Sequence, residues 1–445
     1  MRRNLKGRRV AIAGLAKSGL AAARLALREG ARVEGFDQKE ETALENAPTL
    51  RTLGVPIHAG GADLAQLASF DLLVVSPGVP LANREIVEAK KRGVEVIGEV
   101  ELASGFLDFP ILGITGTNGK STTTALAGHM ADASGRRTFA GGNLGRPLSE
   151  AVLDPAKFEL AVVELSSFQL EAAPTLRPHV AVVTNLTPDH LDRYASHEAY
   201  AAAKRNIFVN QTPGDYAVVN ADDAGVRRMA EGLAAKVVTF GRSTPADGGM
   251  RDDGNTISWG AERYRVESRA LRGTHNRENA MAAALACRLA GISPEAVQQG
   301  LGSYPGLAHR LESIRTVGGV EFVNDSKATN VDSAVVGVRA FEKDVWLIAG
   351  GRGKGAPYRP LVDASRGRVK TVLTIGEDAP AIALAFRCSA EVLPCEPLQN
   401  AIRVAHQRAK PGDVVLLSPA CASYDQFKNF EQRGQLFRTL VEALA

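Results

Sequence analysis

Short apolar runs alternate along the chain with longer runs in which alanine and leucine are mixed with charged residues. The first cycle consists of RVAIAG, then SGLAAARLALREG, then ARVEGFD. The second consists of DLLVVSPG, NREIVEAKKRG and VEVIGE. This alternation is typical of βαβ units, so the pattern predicts parallel sheets covered by helices.

The alternation restarts twice, at FPILGITG and again after SYPGLAHR, where Pro305 and Gly306 suit a hinge. The third series contains GVEFVNDS, VWLIAGG, KTVLTIG and DVVLLSPA. We therefore predict an α/β protein of three domains. Their predicted limits are residues 1–99, 100–304 and 305–445.

The composition is that of a globular protein, with 45% hydrophobic and 23% charged residues in a chain of 445. A formal net charge of +4 is small for this length and argues against a general nucleic-acid binder. No run approaches the roughly 18 apolar residues that a membrane span needs. The cysteines show neither C-x-x-C nor zinc-like spacing, so we expect buried or partly buried thiols in a reducing cytoplasm. They are Cys287, Cys388, Cys395 and Cys421.

Polar and glycine-rich segments follow nearly all of the predicted strands. Among them are GLAKSG, SPG, GTNGKST, ELSS, NLTPDH, NDSKATN, GGRGKG and SPACAS. Ligands of open α/β sheets bind at the carboxyl ends of the strands. The sequence therefore predicts three binding edges rich in groups that hold phosphates and cations.

The segment GITGTNGKSTTT resembles the phosphate loop G-x-x-x-x-G-K-[ST], although Ile114 stands where the first glycine belongs. Gly116 and Gly119 would let backbone N–H groups turn toward a phosphate, and Lys120 would reach the outer phosphates. The Ser121 hydroxyl would bind Mg²⁺, and the following helix would add its partial positive charge. The alternative is a glycine-rich turn that binds nothing.

The segment GLAKSG imitates the dinucleotide fingerprint, with Ala16 in place of the second glycine. Asp37, at the end of the next predicted strand, could accept a ribose hydroxyl or could be an ordinary turn residue. By itself this segment suggests a nicotinamide-dependent dehydrogenase. That hypothesis leaves Lys120 and the third unit unexplained.

Three further residues could act at the phosphate edge. Glu164 and His190 each follow an apolar strand and could complete a Mg²⁺ shell, although a hydrogen-bonded loop residue is the simpler interpretation of His190. Lys204 lies in an amphipathic helix, which predicts a surface lysine. A lysine with a depressed pKa could instead add CO₂ and become an anionic carbamate that binds metal.

The last unit carries basic residues at its strand ends. Lys327 and Lys354 are flanked by small residues and could hold a carboxylate or a phosphate, or lie in surface turns. Arg310 could stack on an adenine or bind a phosphate.

Nine segments in this order make the chain recognisable: GITGTNGKST, ELSSFQLE, NLTPDHLDRY, AAAKRN, GTHNREN, HRLE, NDSKATN, GGRGKG and SPACASYDQFKNFEQRG. Together they resemble the Mur ligases, the ATP-dependent amide ligases of peptidoglycan synthesis, over essentially the whole chain. The resemblance implies a Rossmann-like N-terminal domain that binds a UDP-linked substrate. It further implies a central P-loop-type ATP-binding domain with a mostly parallel sheet, and a C-terminal Rossmann-like domain that binds the amino acid.

NDSKATN and the last segment favour the family members that add D-glutamate to UDP-N-acetylmuramoyl-L-alanine. The resemblance implies ATP and two Mg²⁺ ions, an acyl-phosphate intermediate, and a cytoplasmic monomer in cell-wall synthesis with no nucleic-acid or membrane partner. Rivals are a Mur ligase for another amino acid, and a P-loop kinase or regulatory ATPase that forms no amide.

The resemblance also implies a role for individual residues. The catalytic set is Lys120, Glu164, His190 and Lys204, the last as an N6-carboxylysine, and the metal ligands are Ser121, Glu164, His190 and Lys204. The ATP set is Gly116, Thr117, Asn118, Gly119, Lys120, Ser121, Thr122, Asn276, Asn279, Arg310 and Asp325. The UDP-substrate set is Leu15, Asp37, Gln38, Ser76, Pro77, Gly78 and Asn143. The D-glutamate set is Lys327, Thr329, Lys354, Ser423 and Phe430.

Overall fold

The computed structural model describes residues 3–60, 64–154, 157–190, 193–251 and 253–444. Within those residues the chain forms three sheets, of five, nine and six strands. By contacts it divides into two compact units, residues 1–266 with 278–302, and residues 267–277 with 303–445. The first two sheets lie in the first unit and the third lies in the second. The predicted limits of three domains stay a prediction.

The first sheet is entirely parallel, in the order β3-β2-β1-β4-β5. Its strands are β1 (Arg9–Ala13), β2 (Arg32–Phe36), β3 (Ile57–His58), β4 (Leu72–Val75) and β5 (Glu95–Gly98). Its helices are α1 (Lys17–Arg28), α2 (Ala47–Thr52), α3 (Arg84–Lys91) and α4 (Glu99–Ser104), with 3₁₀ turns at Glu41–Ala43 and Leu64–Ser69. The reversal of strand order beside β1 brings the ends of β1 and β4 together, which is where ligands of such sheets bind.

The second sheet has the order β14-β13-β12-β11-β10-β9-β6-β8-β7 and is parallel from β12 to β7. Its strands are β6 (Ile111–Thr115), β7 (Thr138–Gly142), β8 (Leu160–Glu164), β9 (Val180–Val183), β10 (Tyr216–Asn220), β11 (Lys236–Gly241), β12 (Gly248–Met250), β13 (Thr256–Trp259) and β14 (Glu262–Arg265). The associated helices are α5 (Lys120–Ala133), α6 (Ser149–Leu153), α7 (Ser167–Glu171), α8 (His197–Arg205), α9 (Ala224–Met229), α10 (Thr274–Leu289) and α11 (Pro294–Ser303), with a 3₁₀ turn at Arg269–Leu271. An antiparallel edge formed by β13 and β14 extends the parallel part.

The third sheet has the order β15-β16-β20-β17-β18-β19. Among the described strands of this sheet, only β15 and β16 form an antiparallel pair. The strands are β15 (Glu312–Val317), β16 (Val320–Asn324), β17 (Val345–Gly350), β18 (Val369–Ile375), β19 (Glu391–Pro394) and β20 (Val414–Leu417). The helices are α12 (Val331–Arg339), α13 (Arg359–Ser365), α14 (Ala379–Phe386), α15 (Leu398–Arg408) and α16 (Phe430–Glu442). The predicted α/β class with largely parallel sheets is confirmed.

Two buried carboxylates on α4 join the first sheet to the second within the first unit. Glu99 accepts a hydrogen bond of 2.6 Å from the Ser149 N–H, at the start of α6. Glu101 accepts one of 3.1 Å from the Thr175 N–H and a charged one of 2.8 Å from Arg3. Buried carboxylates are stable in a protein only with such donors. The first sheet is therefore fixed to the second by hydrogen bonds as well as by packing.

All four cysteines are free thiols. Cys287, Cys395 and Cys421 are buried, as expected, whereas Cys388 is exposed because it follows the end of α14. Among the described helices, none has both the length and the apolar content that crossing a membrane would require.

Candidate active site

The predicted phosphate loop joins β6 to α5. Gly116 and Gly119 have φ angles of 143° and 84°, and Gly119 is the N-cap of α5. The first N–H groups of a helix have no acceptor inside it, and the helix dipole adds a partial positive charge there. The loop can therefore present backbone donors to a phosphate.

The side chains of the loop are held close to its backbone. The Lys120 amine donates a hydrogen bond of 2.8 Å to the carbonyl of Thr117. Ser121 is half-buried in the first turn of α5, Thr122 is buried and Asn118 is exposed. Lys120 and Ser121 thus stand side by side at the start of the helix, as the motif predicts.

Residues that follow β9 hold this loop in place. Thr184 Oγ1 donates to the Asn118 carbonyl at 2.6 Å, while Asn185 Oδ1 accepts from the Asn118 N–H at 2.8 Å. The Thr187 N–H donates to Thr117 Oγ1 at 3.0 Å. The loop is therefore preorganised by the neighbouring strand of the sheet, which lowers the ordering cost of ligand binding.

Glu164 ends β8 beside the loop strand and is only 2% exposed. Its Oε1 accepts a hydrogen bond of 2.7 Å from the Asn143 amide. Its Oε2 is buried and has no hydrogen-bond partner in the part of the chain that the structure describes. A buried carboxylate oxygen without a donor is costly unless a cation completes it.

Lys204, in α8, is buried with 1% exposure, so the surface lysine that the helix pattern predicts is wrong. Its amine donates to the Gly116 carbonyl at 2.7 Å and lies 4.5 Å from the centre of the Tyr200 ring. Burial, and then the charge of Lys120, lower the pKa of Lys204 to about 7, while Asp189 and Glu164 oppose this decrease. Much of this lysine is therefore neutral at neutral pH.

His190 lies in the loop after β9 with a φ of 53°, and its side chain is 46% exposed. Its Nε2 lies 3.6 Å from Asp189 Oδ2, and its ring packs against Phe168 with 5.0 Å between centres. The imidazole is thus accessible to a ligand. Leu191 and Asp192 of the same motif lie outside the described residues.

The fit of these residues to a cation depends on oxygen donors. The unpartnered Glu164 oxygen and the Ser121 hydroxyl are ligands of the kind that Mg²⁺ prefers. No group of three or more His, Cys, Asp or Glu side chains with metal-binding geometry occurs among the described residues. A cation here would therefore need ligands of other kinds, such as phosphate oxygens, a hydroxyl or a modified lysine.

Asn279, in α10, is buried against the phosphate loop. A Cβ atom on Gly119 would overlap its side-chain oxygen. The structure thus brings Asn279 of the predicted ATP set to the loop within the first unit.

The predicted UDP-substrate residues converge at the carboxyl edge of the first sheet. Asp37 Oδ2 accepts from the Leu15 N–H at 2.8 Å, and Ser76 Oγ donates to the Gly14 carbonyl at 2.8 Å. Pro77 and Gly78 continue the turn that Ser76 begins, and the Val79 N–H closes it at 2.9 Å on the Ser76 carbonyl. Gln38 is exposed after Asp37, and the Asn143 amide is bonded to Glu164.

In the second unit Asp325 is buried at the end of β16. Its carboxylate accepts from Ser418 Oγ at 2.8 Å and from the Leu311 N–H at 3.3 Å. Burial raises the pKa of Asp325 to about 7, against the opposing effects of Ser418 and of the Arg310 charge. Arg310 Nε is buried and lacks a hydrogen-bond partner in the described part of the chain. These two members of the predicted adenosine set therefore act on one another.

Asn276 is directed to its own segment. Its amide donates to the Arg272 carbonyl at 3.0 Å, within the second unit. This bond caps the loop before α10.

The predicted D-glutamate residues of the second unit form two groups. Lys327 lies with its amine 5.7 Å from the centre of the Phe430 ring, and the Thr329 N–H donates to the Lys327 carbonyl at 2.9 Å. These three residues follow β16 or begin α16. They bring the Lys327 ammonium group over the Phe430 ring, with Thr329 bonded to the Lys327 backbone.

A two-residue bridge joins the segments of the other group. The N–H of Arg352 donates to the Ala422 carbonyl at 2.9 Å, and the N–H of Ala422 returns the bond at 3.0 Å. The bridge holds the loop of Lys354, which is exposed, next to the segment of Ser423, which is buried.

Sequence models of three Mur ligase domains match the chain. The Mur ligase MurD-like N-terminal domain matches residues 8–98, the Mur ligase middle domain matches 114–287, and the glutamate ligase domain matches 309–421. A protein named UDP-N-acetylmuramoylalanine--D-glutamate ligase from Myxococcus xanthus is 54% identical over 99% of both chains. The chain belongs to the Mur ligase family.

Other relatives of this Mur ligase carry the same name. One from Anaeromyxobacter dehalogenans is 55% identical over 98% of both chains, and one from Acidobacterium capsulatum is 44% identical over 99% of this chain and 97% of its own. The resemblance seen in the sequence motifs is thereby confirmed.

Solved Mur ligases share the fold of this one. A MurF ligase from Thermotoga maritima, solved in complex with ADP, is 18% identical with a TM-score of 0.64 and is matched over 100% of both chains. A UDP-N-acetylmuramate-alanine ligase from the same organism is 20% identical with a TM-score of 0.61, over 98% of this chain and 99% of its own.

The sequence motifs did not predict a role for one buried arginine of this Mur ligase. Arg433, in α16, is 1% exposed and donates to Ser326 Oγ at 3.0 Å and to the carbonyls of Ser326 and Cys421 at 2.9 and 3.2 Å. It ties the segment of Lys327 to that of Ser423. The sequence feature that could have indicated Arg433 is its place in the segment FEQRG.

Proposed function

We propose that the chain is an ATP-dependent amide ligase that joins D-glutamate to the L-alanyl carboxylate of UDP-N-acetylmuramoyl-L-alanine. The observation that carries the proposal is the convergence of the phosphate loop, the buried carboxylate of Glu164 and the buried amine of Lys204 at one sheet edge. The names of relatives at 54% and 55% identity support the choice of substrates.

The reaction needs activation because a carboxylate is a poor electrophile. One oxygen of the alanyl carboxylate attacks the terminal phosphorus of ATP, and ADP leaves. The amine of D-glutamate then attacks the carbonyl carbon of the acyl phosphate. Loss of a proton from nitrogen and of inorganic phosphate from carbon completes the amide. The protein contributes mainly positioning and the stabilisation of negative charge.

The phosphates of ATP are assigned to the loop of the first unit. The residues assigned to them are Gly116, Thr117, Asn118, Gly119, Lys120, Ser121 and Thr122. The N–H groups of Thr117 and Asn118 are already bonded to Asn185, so the backbone donors for phosphate are those at the start of α5. Lys120 adds the positive charge that the outer phosphates require. Its present contact with the Thr117 carbonyl is one that a phosphate would replace.

Magnesium ions, two in this proposal, would be held by Glu164, Ser121, His190 and Lys204. When bound, Mg²⁺ neutralises phosphate charge and orients the transferred group. Glu164 Oε2 is suited to this role because it is buried and has no other partner among the described residues.

Lys204 is assigned as an N6-carboxylysine. Its buried position beside Lys120 favours the neutral amine, which is the form that attacks CO₂. The carbamate would be an anion with two oxygens close to Lys120. Modification would convert a buried amine, whose neutral form is favoured, into a buried anion with a cationic neighbour.

The UDP-linked substrate is assigned to Leu15, Asp37, Gln38, Ser76, Pro77 and Gly78, with Asn143 near the reacting end. Support comes from the convergence of the first six residues at the carboxyl edge of the first sheet. The Asn143 amide also orients Glu164, which would connect substrate contact to the metal ligand.

The amino acid is assigned to residues of the second unit. Lys327 and Lys354 supply positive charge for the two carboxylates of D-glutamate, and Thr329, Ser423 and Phe430 complete its site. Adenosine is assigned to Asn276, Asn279, Arg310 and Asp325. We propose that the enzyme acts in the cytoplasm as a monomer, with small molecules as its only substrates.

The proposal is tested by omitting one reactant at a time. ADP, inorganic phosphate and amide product should appear in equal amounts only when ATP, Mg²⁺, the alanyl nucleotide and D-glutamate are all present. ADP together with an accumulating phosphorylated product that never becomes an amide would identify a kinase instead. Tight binding of NADH, read by its fluorescence, would support the dehydrogenase hypothesis.

A further inference from the structure

Arg193 spans the two sheets of the first unit. Its Nη1 donates a hydrogen bond of 3.3 Å to the carbonyl of Pro77, in the turn after β4. Its guanidinium carbon lies 3.8 Å from the centre of the Phe168 ring, in α7 beside the second sheet. Its Nη2 lies 3.8 Å from Glu171 Oε2, and the side chain is only 22% exposed. One side chain thus contacts the edges of both sheets.

The contact at Pro77 constrains the turn assigned to the nucleotide substrate. Ser76 opens that turn and donates to the Gly14 carbonyl at 2.8 Å, so the turn is already linked to the end of β1. The Arg193 bond fixes the next carbonyl in the turn. The Pro77 carbonyl shares its peptide group with the Gly78 N–H. Fixing that carbonyl therefore sets the direction of an N–H that could donate to a diphosphate.

Arg193 is also connected to His190, through its backbone and through the Phe168 ring. The Arg193 N–H donates to the His190 carbonyl at 3.0 Å. Phe168, against which the guanidinium stacks, also packs on the His190 ring at 5.0 Å and on the Tyr194 ring at 5.9 Å between centres. A displacement of Arg193 therefore displaces both the backbone and the ring neighbour of His190.

The geometry favours arginine over lysine at this position. A guanidinium can stack its flat face on an aromatic ring and donate through its edge at the same time, which a compact ammonium cannot. Loss of the guanidinium group would leave the Pro77 carbonyl without this donor. The ring of Phe168 would lose its stacked cation.

We propose that Arg193 is a positioning residue that couples the seating of the nucleotide substrate at the Ser76–Gly78 turn to the placement of His190 at the phosphate edge. The inference rests on the proposed function for the identity of the two ligands. Coupling of this kind is reciprocal, so each ligand should raise the affinity for the other by the same factor.

The test measures that factor in full-length protein. The affinity for a non-hydrolysable ATP analogue with Mg²⁺ is determined by calorimetry with and without UDP-N-acetylmuramoyl-L-alanine, and the reverse titration is then performed. In the unaltered protein we expect the two ligands to strengthen each other about tenfold, within the usual range for coupled sites.

Arg193→Leu should reduce this factor to one and raise the KM for the nucleotide. Arg193→Lys should give an intermediate factor. The matched control is Arg136→Leu, which removes an arginine of the same unit that also joins two segments, through the carbonyls of Ala290 and Glu159. This control should keep the full factor.

A factor that is unchanged in Arg193→Leu would overturn the inference. An equal loss of affinity for both ligands in Arg193→Leu and Arg193→Lys would also overturn it, because that pattern indicates general structural damage. Failure of the proposed function would look different, since the unaltered protein would then release no phosphate with the alanyl nucleotide and D-glutamate. A factor of one in an unaltered protein with normal turnover would reject the coupling alone.

Discussion

The Lys204 amine donates a hydrogen bond to the carbonyl oxygen of Gly116, 2.7 Å away. The two residues are 88 positions apart in the chain, and the bond attaches α8 to the first glycine of the phosphate loop. Burial, and then the charge of Lys120, lower the pKa of this amine and favour its neutral form. This relationship gives the proposed carbamate a physical basis.

Lys204→Ala should remove nearly all ligase activity, and short carboxylic acids such as acetate or formate should restore part of it by supplying the missing anion. Lys204→Arg should be inactive and should not respond, because a guanidinium keeps its charge and fills the space. The measurement is phosphate release against carboxylate concentration. Absence of rescue at any concentration would count against the carbamate.

Lys120→Ala should lower kcat/KM for ATP by about 100-fold or more, since a group that stabilises transferred charge is removed. ADP formation under saturating nucleotide and D-glutamate measures this effect. Lys236→Ala is a suitable control, because that lysine is exposed and only rests near the Tyr216 ring, 5.5 Å from its centre. Comparable turnover in the two variants would show that Lys120 does not take part in the reaction.

Gly119→Ala should lower the free energy of unfolding by about 1–2 kcal/mol because of its left-handed backbone, and should also raise the KM for ATP. The added Cβ would overlap the Asn279 side chain. Gly135→Ala is the matched control, with a φ of 76° and nothing within 4 Å of the new atom. It should cost less stability than Gly119→Ala in urea unfolding, because its new atom overlaps no other group, and it should leave the KM for ATP unchanged. An unchanged KM for ATP in Gly119→Ala would contradict a role of Asn279 in ATP binding.

Glu99→Gln should stabilise the protein at neutral pH. Burial raises the pKa of Glu99 above its ordinary value of 4.5, so the folded state binds this proton more tightly than the unfolded chain. The contribution of Glu99 to stability is therefore fully present below pH 4.5 and is lost as the pH rises through the raised pKa. Each unit of that rise corresponds to about 1.4 kcal/mol.

Urea unfolding at a series of pH values measures this effect. The difference between Glu99→Gln and the unaltered protein should shrink as the pH approaches 4.5. Glu101→Gln provides the contrast, since it breaks the buried contact with Arg3 and should destabilise the protein at neutral pH. Equal effects of both variants at all pH values would refute the account of Glu99.

The local parts of the fold and site were predictable from the sequence. Apolar runs such as LLVV in β4 are buried on both faces of parallel sheets, so their strands are visible without tertiary information. Glycine, lysine and serine at Gly119, Lys120 and Ser121 mark a strand–helix turn through backbone rules alone. The antiparallel edge of β13 and β14 was not anticipated, because its short strands resemble a surface hairpin.

Contacts between distant segments were not predictable from residue patterns. The helix period of α8 says only that Lys204 shares a face with other residues, and it gives no information on what covers that face. Asn279 against Gly119, and Arg193 against Pro77, likewise depend on how helices and loops pack over the sheets. Whole-chain resemblance supplied the role of Lys204, whereas residue-level reasoning favoured a surface position.

The central claim is amide formation with D-glutamate, and the most direct measurement is phosphate release with ATP, Mg²⁺, UDP-N-acetylmuramoyl-L-alanine and a panel of amino acids. We expect rapid release with D-glutamate, together with one equivalent of amide product, and background release with L-glutamate, L-alanine and diamino acids. Equal rates with L-glutamate and D-glutamate would contradict the assignment of the Lys327 and Ser423 groups to D-glutamate. Faster turnover with another amino acid would contradict the central claim itself.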